Sequence, residues 1–254
     1  LLDYENGNRP GDRELHRHLC RRLNDSDVGC LRVLAKWGEA SVEAIKLLKN
    51  YRSHLSAMVS VQNFVIGAGE GRETVNQLLV ELDIPIIKAI RLTDMTEDEW
   101  RLSEEGLRWD SVHYRVAMPE LQAIGQPQVV SAMSKPTLDR QTGLKVSLSQ
   151  SIGAQIELLD RRLLSWLELQ DKANSEKKLG IIYYNHPPGR HNIGADNLKV
   201  PASLFHLLQR LKSEGYNTGE LPNSEEALLD LLHERGVNFP ENNQALRDMS
   251  QKIN

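Results

Sequence analysis

The sequence has no excess of basic residues and no long apolar run, and each shortage excludes a class of protein. Its 254 residues carry a formal net charge of -4, whereas nucleic-acid binding needs a concentrated basic surface. No stretch approaches the roughly 20 apolar residues that cross a bilayer. The first residues, Leu-Leu-Asp-Tyr-Glu-Asn, also lack the basic start and apolar segment of a signal peptide. We therefore predict a cytoplasmic protein with neither nucleic-acid nor membrane partners.

Cysteine is scarce as well. Cys20 and Cys30 are the two cysteines of the chain, and they match neither a disulfide framework nor a C-x-x-C metal site. We predict that they are free thiols in a reducing compartment. The sequence also lacks an initiating methionine, and its last residues follow a helix-like run without a stop signal. These features favour an internal piece of a longer protein.

The residues that are present alternate between strand-like and helix-like patterns, which predicts an α/β fold built from parallel βαβ units. Residues 119–143 contain Pro127 and Pro136 and are predicted to be irregular. The basic residues of the first two helices are predicted to form solvated faces. The predicted elements of this half are helices at 13–23 and 41–51, a strand at 58–66, a helix at 73–81, a strand at 85–92, a helix from Thr96 and a strand at 112–118.

The second half begins with a long helix over residues 151–178. Its apolar residues recur at three- and four-residue steps and form one stripe: Ile152, Ile156, Leu159, Leu163 and Trp166. A strand is predicted at 179–184, a helix from Pro201 to a left-handed Gly215, and a helix from an Asn223–Glu226 capping box to Gly236. We therefore predict two consecutive α/β domains, 1–145 and an incomplete 179–254, joined by a long helix within 146–178.

The loop between the predicted strand at 179–184 and the helix from Pro201 is rich in polar side chains, with two histidines, an arginine, a lysine, an aspartate and three asparagines. Loops that follow strands are where α/β proteins commonly bind ligands. Arg190, Lys199 and the free N–H groups at the helix start suit an anionic organic ligand. The alternative is that these groups satisfy one another and the loop backbone.

Two other interpretations of this loop are weaker. Gly189 and Gly194 have the spacing of a phosphate loop, but Ala195 and Asp196 replace its lysine and hydroxyl residues, and an aspartate there would repel a phosphate. His186, His191 and Asp196 are metal-ligand types, yet their spacing defines no metal site, so we predict no resident metal. The glycines of residues 67–71 predict a tight turn rather than a dinucleotide site.

Two ordered blocks carry a family resemblance. The first is Ile-Ile-Tyr-Tyr-Asn-His-Pro-Pro-Gly-Arg-His-Asn-Ile-Gly-Ala-Asp-Asn-Leu-Lys-Val-Pro-Ala-Ser-Leu at 181–204, and the second combines 85–100 with 116–121. Both resemble the large subunit of aerobic cobaltochelatase, the CobN type, which is related to the magnesium chelatase H subunit. The Asn192–Ala195 sequence is closer to the cobalt branch.

The resemblance implies a tetrapyrrole-binding large subunit of an ATP-dependent ligase of cobalamin biosynthesis. Its substrates would be Co²⁺ and a corrin precursor of the hydrogenobyrinic acid a,c-diamide type, with Mg²⁺ and protoporphyrin IX as the alternative. Separate AAA+ type subunits would bind and hydrolyse the ATP, so the failed phosphate loop is expected. The rival interpretation is a non-catalytic tetrapyrrole-binding or scaffold module.

Metal insertion removes protons from the ring nitrogens and requires the macrocycle to be held in place. The resemblance and the loop chemistry together predict three residues that accept a proton or pass the metal, namely His186, His191 and Asp196. The residues predicted to bind the substrate are Asn185, Arg190, Asn192, Gly194, Asn197 and Lys199. We expect the piece alone to be inactive, because insertion needs the partner subunits.

Overall fold

The computed structural model describes residues 1–4, 10–184, 193–195, 197–235 and 247. The chain divides into two compact units, residues 1–170 and 171–254. Its strands and helices are, in chain order, β1 (Leu2–Tyr4), α1 (Pro10–Asp25), β2 (Val33–Ala35), α2 (Glu39–Lys49), β3 (Met58–Ser60), α3 (Gly71–Leu82), β4 (Ile86–Thr96), α4 (Glu97–Leu102), α5 (Trp109–Val112), α6 (Met118–Glu120), β5 (Gly125–Met133), β6 (Thr137–Leu138), β7 (Lys145–Val146), β8 (Ser149–Ser151), α7 (Gly153–Asp171), α8 (Val200–Ser213) and α9 (Glu225–Arg235).

A six-stranded sheet organises the first unit, with the order β2-β1-β3-β4-β5-β8. Strands β1 to β5 pair in parallel, and β8 pairs antiparallel with β5 at the edge. The chain steps from β1 to β2 on one side and then crosses back to β3 on the other side. This reversal between β1 and β3 is the switch point at which doubly wound sheets commonly bind ligands, outside the carboxyl ends of the strands. The α/β class with parallel units is confirmed.

Helices cover both faces of this sheet. The helices α2 and α3 pack one face through Val42, Ile45, Val75 and Leu79, among others. The helices α1 and α7 pack the opposite face, and the stripe predicted for the long helix supplies Ile156, Leu159 and Leu163 to that core. The long helix is therefore part of the first unit's core over most of its length, while the predicted domain limits at 145 and 178 stay a prediction.

Several local predictions hold in the structure. The strands β3 and β4 pair in parallel around α3, and the basic residues of α1 at positions 13, 17 and 21 are exposed. Thr96 caps α4, because its hydroxyl accepts from the Glu99 backbone N–H while the Glu99 carboxylate accepts from the Thr96 N–H at 2.7 Å. Strand β3 ends at Ser60, earlier than predicted, because the backbone of Ile66 bonds to the Gln122 side chain and not to a neighbouring strand.

The strand predicted at 112–118 is wrong, because this segment is helical and includes a π-helical turn at His113–Ala117. Its alternating apolar residues suggested a strand. The buried residues, however, are Ser111, Arg115 and Pro119, and a spacing of four is helical. The buried face is thus largely polar, and a pattern of apolar residues could not reveal it.

The irregular connection predicted at 119–143 is also wrong, because it contains strand β5, which lies between β4 and β8 in the sheet. The register between β4 and β5 shifts between the pairs Ile87–Gly125 and Ala89–Gln128. Pro127 lies within that irregularity, where a residue without an N–H group does not interrupt the ladder. The first strand of the two-stranded β6–β7 sheet follows, so about half of the segment is regular structure.

The second unit is described mainly through α8, α9 and the segment before them. The strand predicted at 179–184 is not formed; Ile182 is 99% exposed, and no described strand pairs with the segment. Gly215 adopts the predicted left-handed conformation after α8, with φ 83°. The cap of α9 is Ser224 and not Asn223, because the Ser224 hydroxyl accepts from the Ala227 N–H at 3.2 Å. Gly236 lies outside the described residues.

Cys20 and Cys30 form a disulfide, so the predicted free thiols are wrong. Their Cα atoms lie 5.3 Å apart, because the loop after α1 folds back beside the last turns of that helix. Sequence spacing alone carries no such information. Within the described ranges, no helix combines the length and apolar character that a membrane span requires.

Candidate functional site

The loop predicted to be the functional site is described only in part. Six of its predicted site residues lie outside the described residues, namely Asn185, His186, Arg190, His191, Asn192 and Asp196. The other three, Gly194, Asn197 and Lys199, directly precede helix α8. The structure therefore describes only the last turn of this loop.

This last turn is tight. The Leu198 N–H donates to the Ala195 carbonyl at 2.8 Å, and these two residues form an isolated β-bridge. Asn197 and Lys199 are exposed on it, while Ile193 packs against the core of the second unit. Lys199 makes no side-chain cap to α8. Its ammonium group is thus left at the surface beside the start of a 14-residue helix, which suits contact with an anion.

A second polar site, which the sequence-based predictions missed, lies inside the first unit. We call Asp3, Asp12, His16 and Arg91 the buried ion network. Asp3 and His16 are at most 1% exposed, and Arg91 is 7% exposed. The network joins β1 and α1 to β4, which is distant from both in sequence, next to the switch point of the sheet.

The geometry of the buried ion network centres on Arg91. Its Nη1 and Nη2 atoms donate to the two carboxylate oxygens of Asp3 at 2.8 and 2.9 Å, and Nη1 also donates to Asp12 at 2.8 Å. His16 Nε2 lies 2.7 Å from the Asp3 carboxylate. Two-pronged contacts of this kind are the strongest that an arginine makes with a carboxylate. They hold the start of α1 over the sheet.

The buried lysine of β4 lies nearby. The Lys88 ammonium group donates to the Gln62 carbonyl oxygen. Burial, followed by repulsion from Arg91, lowers the pKa of Lys88 to about 7. The Ser60 hydroxyl and both amide atoms of Gln62 are buried without a hydrogen-bond partner among the described residues. Such groups are normally satisfied by internal water.

Arg115 ties the misassigned helical segment to this region. Its guanidinium donates to the Arg91 carbonyl oxygen at 3.2 Å and to the Thr93 hydroxyl at 2.9 Å. The side chain is buried. The second half of β4 is therefore fixed by a buried cation that comes from the crossover between β4 and β5.

The sequence held one signal for this second site. Lys88 and Arg91 interrupt the apolar run of β4, and charges inside a fully buried strand need partners or a function. Their partners could not be identified, because Asp3 and Arg91 are 88 positions apart. Among the described residues, no group of three or more histidine, cysteine, aspartate or glutamate side chains could hold a metal ion.

Comparison with protein families gives a match over residues 1–254 to the family described as CobN/Magnesium Chelatase. The chain is 34% identical over 190 residues to the chloroplastic magnesium-chelatase subunit ChlH of Oryza sativa subsp. indica, covering 73% of this chain and 13% of that protein. It is 29% identical to the magnesium-chelatase H subunit of Chlorobaculum parvum, covering 65% of this chain and 12% of that protein.

A relative from the cobalt branch is more distant. The chain is 22% identical to the aerobic cobaltochelatase subunit CobN of Sinorhizobium sp, covering 65% of this chain and 13% of that protein. No solved structure matches the chain. The chain thus spans only about an eighth of the length of these relatives.

Proposed function

Because the chain belongs to the CobN/magnesium chelatase family, we propose that it is part of a tetrapyrrole-binding large subunit of an ATP-dependent metal chelatase. The observation that carries the proposal is the family match over all 254 residues. The parent protein would insert a divalent metal ion into a tetrapyrrole, and the ion would be a substrate rather than a resident cofactor. The chain alone would be inactive, because ATP would be bound and hydrolysed by separate AAA+ type subunits in the cytoplasm.

The proposed contact with substrate is the loop before α8. The exposed Lys199 and the start of α8 support a role in binding the peripheral carboxylates of the macrocycle. Arg190 and the other polar residues of the loop would extend this contact, as the sequence predicts. We propose that His186, His191 or Asp196 takes a proton from a ring nitrogen or passes the metal ion, since a histidine near its ordinary pKa suits proton transfer at neutral pH.

Two metals are candidates, each supported by a different observation. The Asn192–Ala195 sequence favours Co²⁺ and a corrin precursor, as predicted from the resemblance. The higher identity to magnesium-chelatase subunits, 34% against 22% for the cobaltochelatase subunit, favours Mg²⁺ and protoporphyrin IX. The parent protein with its partner subunits and ATP should be assayed with each metal and macrocycle pair. Turnover with the porphyrin alone would reject the cobalt proposal.

The role of the loop is tested in the same assay. If a loop histidine transfers the proton, His186→Ala or His191→Ala should lower insertion by about 100-fold or more, the range typical of a lost general acid or base. His206→Ala is the matched control, because His206 is an exposed histidine of α8 outside the loop. Its activity should stay within about twofold of wild type.

Substrate binding by the loop is tested with Arg190→Ala and Lys199→Ala. Each should weaken tetrapyrrole binding by about tenfold, because each removes a charge-assisted contact to a carboxylate. Arg210→Ala is the control, since Arg210 pairs with Glu214 on the surface of α8. If tetrapyrrole affinity and insertion are unchanged in all the loop variants, the site assignment is wrong although the family assignment stands.

A further inference from the structure

An aromatic and cationic surface lies at the carboxyl end of the sheet in the first unit. Trp37 follows β2 by two residues, Phe64 follows β3 by four, and Arg72 lies in the first turn of α3. We call these three residues the aromatic–arginine surface. Strands β2 and β3 flank β1, so this surface lies beside the switch point at which ligands of doubly wound sheets commonly bind.

The side chains of the surface are in fixed contact. The rings of Trp37 and Phe64 have centroids 6.1 Å apart at an interplanar angle of 54°. The Arg72 guanidinium carbon lies 5.6 Å from the centre of the Phe64 ring, which is cation–π distance. The Trp37 Nε1–H group donates to the Val65 carbonyl at 3.0 Å. This hydrogen bond orients the indole, although 46% of the residue is exposed.

The loop that carries Phe64 is braced before any ligand arrives. Gln122 bonds both backbone groups of Ile66, at 2.8 and 3.0 Å. The Gly67 N–H donates to the Ser41 hydroxyl at 3.0 Å. A surface that is already ordered loses little conformational entropy on binding. A half-exposed indole that packs against the ring of a braced loop is therefore suited to stacking against a flat molecule.

Arg72 supplies the charge. Its Nε atom is buried without a hydrogen-bond partner, and none of the described carboxylates forms an ion pair with it. Glu70 and Glu73, its neighbours in sequence, are exposed and do not pair with it. A planar guanidinium can stack on an aromatic ring, and its fork of N–H groups suits a carboxylate.

We infer that the aromatic–arginine surface binds a planar, conjugated ring system that carries a carboxylate. Trp37 and Phe64 contact the ring, and Arg72 pairs with the carboxylate. Stacking on an indole and pairing with a guanidinium select together for a flat organic acid over a flat neutral molecule. The identification of that acid with the tetrapyrrole rests on the proposed function, whereas the chemistry of the surface does not.

The test measures binding of deuteroporphyrin IX, a planar ring with two propionates, to the full-length parent protein by porphyrin fluorescence. We expect Trp37→Ala and Arg72→Gln each to weaken binding by roughly tenfold. Trp109→Ala and Arg101→Gln are matched controls, because Trp109 is 82% exposed on α5 and Arg101 pairs with Glu97 on α4. The controls should bind as wild type does.

Three further measurements separate binding from folding and from catalysis. Trp37→Phe keeps a ring and should bind within about threefold of wild type. The dimethyl ester of the porphyrin lacks the charges, so Arg72→Gln should not weaken its binding. Unfolding curves of each variant show whether it is folded. The inference is overturned if Arg72→Gln weakens binding of the ester as much as binding of the acid. It is also overturned if a folded Trp37→Ala variant binds the porphyrin as wild type does.

The test of the aromatic–arginine surface can succeed or fail independently of the role proposed for the loop before α8. If the aromatic–arginine variants lose porphyrin binding while loop variants keep full insertion activity at saturating porphyrin, the inference stands and the loop assignment fails. If the loop variants lose insertion while Trp37→Ala and Arg72→Gln bind porphyrin as wild type does, the loop assignment stands and the inference about the aromatic–arginine surface fails.

Discussion

Replacing Arg91 by methionine tests the buried ion network directly. Methionine has a similar length and apolar stem, so the substitution removes the guanidinium while keeping most of the packing. Asp3, which is fully buried, and Asp12 would then lose their shared cation. An isolated buried carboxylate is strongly disfavoured, because the protein interior solvates charge poorly.

The structure sets the size of the effect. Arg91 makes three contacts of 2.8 to 2.9 Å with the two aspartates. Removing one partner of a buried pair usually costs about 3–5 kcal/mol. His16 remains beside Asp3 and offsets part of this loss, so we expect a loss of about 3 kcal/mol in the free energy of unfolding. This is a large share of the stability of an ordinary domain.

Urea unfolding at pH 7, followed by circular dichroism, measures the loss. Arg101→Met is the control, because the Arg101–Glu97 pair is about half exposed and exposed pairs contribute less than about 1 kcal/mol. Adding Asp3→Asn to Arg91→Met should recover stability, since one unpaired charge is removed. A loss below about 1 kcal/mol for Arg91→Met, or a further loss in the double variant, would refute the role assigned to the network.

Three more changes test other parts of the first unit. The pKa of Lys88 is 10.5 in the unfolded chain, whereas burial lowers it to about 7 in the folded protein. The free energy of unfolding of the wild type should therefore rise from pH 7 to 10 by up to about 1.4 kcal/mol per pH unit. Lys88→Met should abolish this rise in urea unfolding measured across the range, and an unchanged slope would contradict the burial argument. Thr96→Ala removes the cap of α4 and should lower the free energy of unfolding by about 1 kcal/mol, whereas Thr142→Ala, on an exposed turn, should change it less. Gly67→Ala should cost roughly 1–3 kcal/mol, because its φ is +79° and a Cβ would lie 2.9 Å from the Gly71 carbonyl; Gly69→Ala has open space and should cost less, so equal losses in thermal melts would argue against the close approach.

The roles proposed for the loop before α8 rest on the sequence and the family match alone. Gly194, Asn197 and Lys199 lie before a helix that begins with Val200 and Pro201. The roles of His186, Arg190 and His191 stay a prediction. A sequence can place the end of such a loop because a helix-like pattern follows it, but it cannot orient side chains that have no periodic pattern. The segment at 179–184 shows the limit, since strand-like residues form no strand without a neighbouring strand to pair with.

The sequence by itself determined the features whose cause is local. The repeat of Ile156, Leu159 and Leu163 fixes the buried face of α7, the Thr96–Glu99 pair starts α4, and the apolar runs around α3 place β3 and β4 in parallel. Only the tertiary structure decided the rest. The Cys20–Cys30 disulfide, strand β5 with its proline at an irregular register, and the pairing of Arg91 with Asp3 all depend on which segments meet in space. Side-chain periodicity reports the environment of one element, whereas hydrogen bonds and ion pairs join elements that lie tens of residues apart in the chain.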